Sequence, residues 1–243
     1  GWGKADCPEF VYNRRWLMRP GTAKTVPFTG HTDDLAQMNP GHDNPNKVRP
    51  TGPVDPAVTV LSVQTRDGRP LALLANYSTH YAGAPGVSAD YFGAFDIEMA
   101  KRLGGGEGDP PFVALMSNGT SGDVNCIDFS KPRRNFDRFN VAKAVADAAE
   151  KAMVDVEYSA SPPIVMDERR LELGVRVPTP EEAAEAKAWL EEHLGDRPVQ
   201  TWEENYARET VLLSEGPDTR EIKLQAIRIG DFGIAALPTE TYA

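Results

Sequence analysis

The sequence predicts an α/β fold: a mixed β-sheet flanked by helices in a layered sandwich, forming one main domain truncated at both ends. Three observations lead there. Strand-like apolar runs interleave with helical patterns along the chain, so one main sheet with helices packed on it is the arrangement that satisfies both. Apolar residues make up 40% and charged residues 26%, the balance of a folded domain. The chain opens on Gly1 rather than Met and stops at Ala243, just after an apolar run that reads as a buried strand; both ends read as cuts through a longer protein.

The elements follow in order. Residues 1–56 read as loop-rich, because Pro, Gly, Asn and Asp crowd the stretch from Thr29 to Pro56; Arg14 to Leu17 is more compact in character. Ala57 to Thr65 and Pro70 to Ser78 are strands, with Asp67-Gly68 as a two-residue hairpin signal. The second of them is apolar on both faces and is expected at the centre of the sheet. A helix follows from Ser88, a possible cap, with Phe95, Ile97, Met99 and Leu103 as its stripe and glycines 104–106 as its stop. Pro110 to Asn118 is a short strand running into the turn Gly119-Thr120-Ser121-Gly122-Asp123. Phe139 to Val156 is helical, and 164–177 alternates as a strand. Capping boxes at Thr179/Glu182 and Thr201/Glu204 open two acidic helices, read as a helical insertion at 178–220. Glu221 to Gly230 and Phe232 to Pro238 are strands joined at Gly230-Asp231.

Charge removes some functions. With 26 basic and 36 acidic residues the net charge is −10, which argues against a nucleic-acid partner, since phosphate contact needs a basic face. No apolar run reaches the roughly 18–20 residues of a membrane span. GWGKADCPEF has no signal-peptide pattern. Cys7 and Cys126 are either one bridge or two buried thiols. Oligomeric state is not legible.

Chemistry concentrates at three places. His80 follows a buried strand and precedes the small-residue run Tyr81 to Gly86, where α/β sheets gather their sites. Gly119, Thr120 and Gly122, with Ser121 and Asp123, form a tight turn whose N–H groups suit an anion or an oxyanion. The turn is neither a phosphate loop, lacking the lysine, nor a GxSxG elbow. Glu240 follows the last strand. A His/Glu pair is half of a catalytic zinc site, which takes about three protein ligands and keeps one position open. His31 and His42 lie in the polar loop, and His193 on an acidic helix.

These segments resemble, in order, the amidase domain of the neutral/alkaline ceramidase family. Asn13-Arg14-Arg15 is similar to its Asn-Arg stretch, LLANYSTHYAG to the segment holding a zinc histidine, and VSADYFGAF to the helix entry that follows. FVALMSNGTSGDVNCID is similar to its Gly-Asp-Val-Ser strand end, and IAALPTETYA to the segment holding a zinc glutamate. The resemblance implies a zinc-dependent hydrolase of amide (N-acyl, ceramide-like) bonds with zinc on His80 and Glu240. It also implies a sphingolipid or other lipid-like substrate, a secreted or periplasmic setting, and further ligands upstream of Gly1 and beyond Ala243. The chain would then be the central part of one catalytic domain. The family's serine nucleophile falls on Asn125, and its proline on Cys126. Ser121, Thr120 or Cys126 could stand in for that serine; a metal-activated water is the simpler attacker, with Asn125, Asp123 and Ser121 as catalytic or orienting groups. Gly119, Thr120 and Gly122 are expected to meet substrate or oxyanion. A non-catalytic binding module that keeps the pocket is the alternative.

Overall fold

A computed structural model describes residues 1–23, 34–104, 108–195 and 197–243. His31 and the Gly105-Gly106 part of the expected helix stop lie outside the described residues. In chain order the strands are β1 (Trp2–Asp6), β2 (Tyr12–Asn13), β3 (Arg15–Met18), β4 (Ala36–Met38), β5 (Lys47–Pro50), β6 (Ala57–Gln64), β7 (Pro70–Tyr77), β8 (Val113–Asn118), β9 (Val124–Asn125), β10 (Ile164–Gly174), β11 (Thr219–Ile229) and β12 (Phe232–Ala236). The α-helices are α1 (Asp90–Arg102), α2 (Arg138–Met153), α3 (Pro180–His193) and α4 (Trp202–Glu215).

The main sheet has the order β1-β6-β7-β8. Its first three strands are antiparallel, and β8 joins β7 in parallel through the crossover helix α1. Val58 and Val60 of β6, Leu73, Ala75 and Tyr77 of β7, and Ala114 of β8 alternate onto one face. There they meet Tyr91, Phe95 and Met99 of α1 and the Ala/Val stripe of α2 in a single core. The helices cover that face; Val63, Val113 and Leu115 stay exposed.

Among the described residues three smaller sheets accompany it, so the described part of residues 1–56 is more regular than expected. Strand β1 pairs with β6 along its full length, β2 pairs with β9, and β3 sits between β4 and β5. Strand β1 hid from pattern reading because its inward residues are Gly3 and Ala5. A Cβ on Gly3 would overlap the Ala152 carbonyl of α2, so a large residue has no room there. Around β3, Trp16 and Met18 bury against Ala23 and Phe129. Lys47 Nζ donates to the carbonyls of Gly41, His42 and Phe129, fixing the 39–47 loop over that cluster.

The β6–β7 hairpin forms as expected, but Thr65 and Arg69 close it around three residues rather than two. Both acidic helices carry their capping boxes. They pack chiefly on each other through Ala186 and Ala207, between strands β10 and β11 that pair from Ile164↔Ile229 to Gly174↔Thr219. Glu204 is buried at their base, where the Arg197 guanidinium and the N–H groups of Gln200 and Thr201 hold its carboxyl down to about 2. The expectation of a buried last strand is corrected: β12 is an edge strand, largely exposed.

Candidate active site

Strands β7 and β8 run parallel, and both carboxyl ends open at the same edge, the usual place for a site in such sheets. The chain leaving β7 is clamped from both sides. Tyr77 Oη donates to the Cys7 carbonyl (2.7 Å), Thr79 Oγ1 to that of Phe10 (2.7 Å), and Tyr91 Oη to that of Thr79 (3.0 Å). Ser78 Oγ accepts from Thr120 N (3.2 Å), tying the end of β7 to the turn after β8. His80 is thereby delivered to the edge with its side chain 21% exposed.

Glu240 arrives from the other direction. After β12 the chain lies along the 121–123 turn: Gly122 N donates to Thr241 O (2.8 Å) and Ala243 N to Asp123 Oδ1 (3.3 Å). Gly122 allows this close approach, because a Cβ there would overlap the Tyr242 ring and sit 2.8 Å from the Glu240 carbonyl oxygen. Glu240 Oε1 ends 3.6 Å from His80 Nε2, 3.5 Å from Ser121 Oγ and 3.8 Å from Arg14 Nη2. His80 and Glu240 lie 160 residues apart in sequence and meet at one carboxylate oxygen.

Arg14 joins this cluster without having been singled out by its residue type or position in the sequence. It enters on the β2–β9 pair, where Arg14 N donates to Asp123 O (2.7 Å), and its Nη2 donates to Gly122 O (2.9 Å). Its Nε is buried without a partner among the described residues. Burial, and then the Arg14 charge, push the His80 pKa below the ordinary histidine value; Glu240 pulls the other way. The imidazole is therefore neutral at pH 7, with a lone pair free for a metal or a proton. Followed by NMR, the His80 titration midpoint is expected below 6.5, to fall further in Glu240→Gln and to rise in Arg14→Met. A midpoint that ignores both substitutions would remove this electrostatic account.

The turn is more structural than its composition suggests. The N–H groups of Gly119, Thr120 and Gly122 are bonded to Tyr77 O, Ser78 Oγ and Thr241 O, so in this arrangement they do not meet an oxyanion. Ser121 is 1% exposed, and its Oγ accepts from Asn118 Nδ2 at 2.8 Å. Asp123 Oδ2 accepts from Asn13 Nδ2 (2.8 Å). Asn125 Nδ2 donates to Asn39 Oδ1 (3.0 Å), and its Oδ1 accepts from Ile127 N (2.9 Å), so its amide braces the residue that follows β4. Cys126 is 2% exposed, and burial pushes its thiol up to about 12. Both cysteines are free, buried thiols. His42 bonds to the Lys131 carbonyl and His193 to that of Trp189, both as structural contacts. Among the described residues no group of three or more His, Cys, Asp or Glu is placed to hold a metal. No helix among them is long and apolar enough to cross a membrane.

Gly122→Val is expected to expel residues 240–243 from the turn while leaving the core intact. Hydrogen exchange should rise at Thr241 to Ala243 and stay unchanged in α2. Unchanged exchange in the tail would contradict the docking role given to this glycine.

No family model matches the chain, and no curated protein matches it. Among solved structures it is similar to neutral ceramidase from Pseudomonas aeruginosa, with a TM-score of 0.54 and 15% identity over 96% of this chain and 39% of that one. A ceramidase complexed with C2 aligns at a TM-score of 0.49 and 12% identity, covering 96% of this chain and 40% of its own. At such identity the likeness is one of fold: the chain has a ceramidase-like α/β fold and spans 39% of the first ceramidase's length.

Proposed function

We propose that the protein is a zinc-dependent hydrolase of amide bonds in N-acyl compounds, ceramide-like lipids among them, with His80 and Glu240 as metal ligands. The observation that carries this reading is the 3.6 Å separation of His80 Nε2 and Glu240 Oε1 at the carboxyl ends of the parallel strands. Two donors about 2.0–2.1 Å from one tetrahedral ion lie about 3.3–3.4 Å apart, so the pair fits two corners of such a site. Two such ligands make up part of a zinc site, which takes about three protein ligands. Zinc, when bound, supplies Lewis-acid polarisation of the carbonyl and lowers the pKa of a water to about 7.

The chain's own residues do the rest. His80 is held neutral and so can ligate, and Arg14 restrains the Glu240 carboxylate and supplies positive charge near the reacting carbonyl. Asp123 fixes the junction between β2 and β3 that carries Arg14, Ser121 steadies Glu240, and Asn125 positions the adjoining loop. Gly119, Thr120 and Gly122 shape the floor against which substrate rests. A nucleophile must approach the carbonyl carbon to about 3–3.5 Å. Buried Ser121 and the buried, protonated Cys126 do not allow that, and an amide occupies position 125, so attack falls to water.

The test is hydrolysis of a panel of N-acyl amides by the purified protein with zinc added: turnover lost in His80→Ala supports the reading. The internally bonded turn N–H groups favour a second reading, a non-catalytic module that keeps the pocket. Binding of the panel without turnover would establish that one.

A further inference from the structure

A cleft of about 320 Å³ opens where Glu9-Phe10 and the chain at 134–136 meet helix α2, a volume at the lower end of the range for small-molecule sites. Its lining shares no residue with the cluster around Glu240. From α2 come Asn140, Lys143, Ala144 and Asp147, which share one helix face at spacings of three and four.

The other wall is built of rings and a guanidinium. Phe10 and Phe136 meet edge to face with centroids 5.5 Å apart, and Arg134 lies over Phe10 with Cζ 4.3 Å from the ring centroid. Glu9 fixes the guanidinium: Nη1 donates to Glu9 Oε1 (3.4 Å) and Nη2 to the Glu9 carbonyl. The Arg134 side chain is backed by a ring yet 44% exposed, so it offers a planar cationic surface on which a flat ring can stack.

The polar groups left over are donors. Asn140 Oδ1 accepts from Asp137 N (3.0 Å) in the helix cap, which orients the amide and leaves Nδ2 spare. The side chains of Asn135 and Lys143 make no hydrogen bond or ion pair among the described residues. Both lining carboxylates are already held by guanidinium groups, Glu9 by Arg134 and Asp147 by Arg102 Nη1 (2.8 Å). The stretch 130–138 adds Lys131, Arg133 and Arg138 against Asp137 alone, in a chain whose net charge is −10. An unpaired ammonium and spare amide N–H groups beside a stacking cation suit an anionic oxygen group carried on a flat ring.

We propose that this cleft binds a small aromatic carboxylate, with its ring on Arg134 and its carboxylate at Lys143 and Asn140. The site stands independently of the hydrolase reading.

The test is titration of the whole protein with benzoate, followed by NMR on the asparagine side-chain amides. The Asn135 and Asn140 signals are expected to shift together and saturate, with a Kd of about 1 mM or tighter for so small a ligand. Benzamide keeps the plane and loses the charge; it should bind at least about fivefold more weakly, and so should benzoate to Lys143→Met. Lys143 is an exposed residue of α2, and unchanged backbone signals away from the cleft would show that the variant is folded. Cyclohexanecarboxylate keeps the charge and loses the plane. It should bind at least about threefold more weakly than benzoate, a preference that Arg134→Lys should erase. The proposal is overturned by the absence of a saturable shift at the two asparagines, or by benzoate binding no tighter than either benzamide or cyclohexanecarboxylate. Inorganic phosphate occupying the cleft as well as benzoate does would also overturn it, because the patch would then take any anion.

Discussion

Replacing His80 by alanine is expected to cost at least as much activity on N-acyl amides as any other single change in the site. His80 contributes a neutral nitrogen 3.6 Å from the Glu240 carboxylate, and no other histidine among the described residues is placed to substitute for it. Losing a ligand removes both the metal's position and its chemistry, so the effect should exceed the roughly 10²–10³-fold typical of losing one oxyanion donor. Glu240→Ala should match it. Asn125→Ser should cost about 10- to 100-fold, as for groups that position a site from behind it, because it loses the brace to Asn39. Ser121→Ala should be milder still, since Glu240 keeps Arg14 and His80 beside it. The order is the content of the claim. If Ser121→Ala were as damaging as His80→Ala, a serine nucleophile would be at work and attack by water would be wrong.

Phe95→Ala should produce the largest loss of stability. Phe95 is fully buried in the core where α1 packs on the sheet, with Tyr91 and Met99 one turn away on either side. Removing a buried phenyl ring costs about 3–5 kcal/mol, through lost transfer free energy and the cavity left behind. That is a large share of the roughly 5–15 kcal/mol holding a domain together. Urea unfolding of the variant should show the midpoint falling with little change in slope. A loss below about 1 kcal/mol would mean that α1 contributes little to the core.

The parts of this architecture that were legible in the sequence are those with local chemistry. The boxes at Thr179/Glu182 and Thr201/Glu204 announce α3 and α4 because a capping residue and its partner lie three positions apart. The β6–β7 hairpin shows itself through Asp67-Gly68 between Val/Leu-rich flanks. Strand β1 was not legible, since Gly3 and Ala5 face α2 and make no apolar alternation. Strands β2 to β5 are two to four residues long, too short for a period to emerge. In the site, His80, Glu240 and the 119–123 turn stood out because each follows a strand. Asp90, whose carboxylate gathers the N–H groups of Ala82, Gly83 and Ala84 in the loop after His80, did not, because those groups lie six to eight residues upstream. Arg14 and Tyr242 were hidden for the same reason: their partners lie about 110–120 residues away, a relation only the fold creates. The N–H groups of the turn illustrate the converse. Their sequence suits an anion nest, yet neighbouring chain segments use them first.

The central claim is that His80 and Glu240 share one metal ion. It is tested most directly by anomalous diffraction at the zinc edge from crystals soaked in millimolar zinc, a concentration at which even an incomplete site fills. The account predicts a peak about 2.0–2.2 Å from both His80 Nε2 and a Glu240 carboxylate oxygen. Zinc bound elsewhere, with His80 and Glu240 still facing each other and no peak between them, would contradict it.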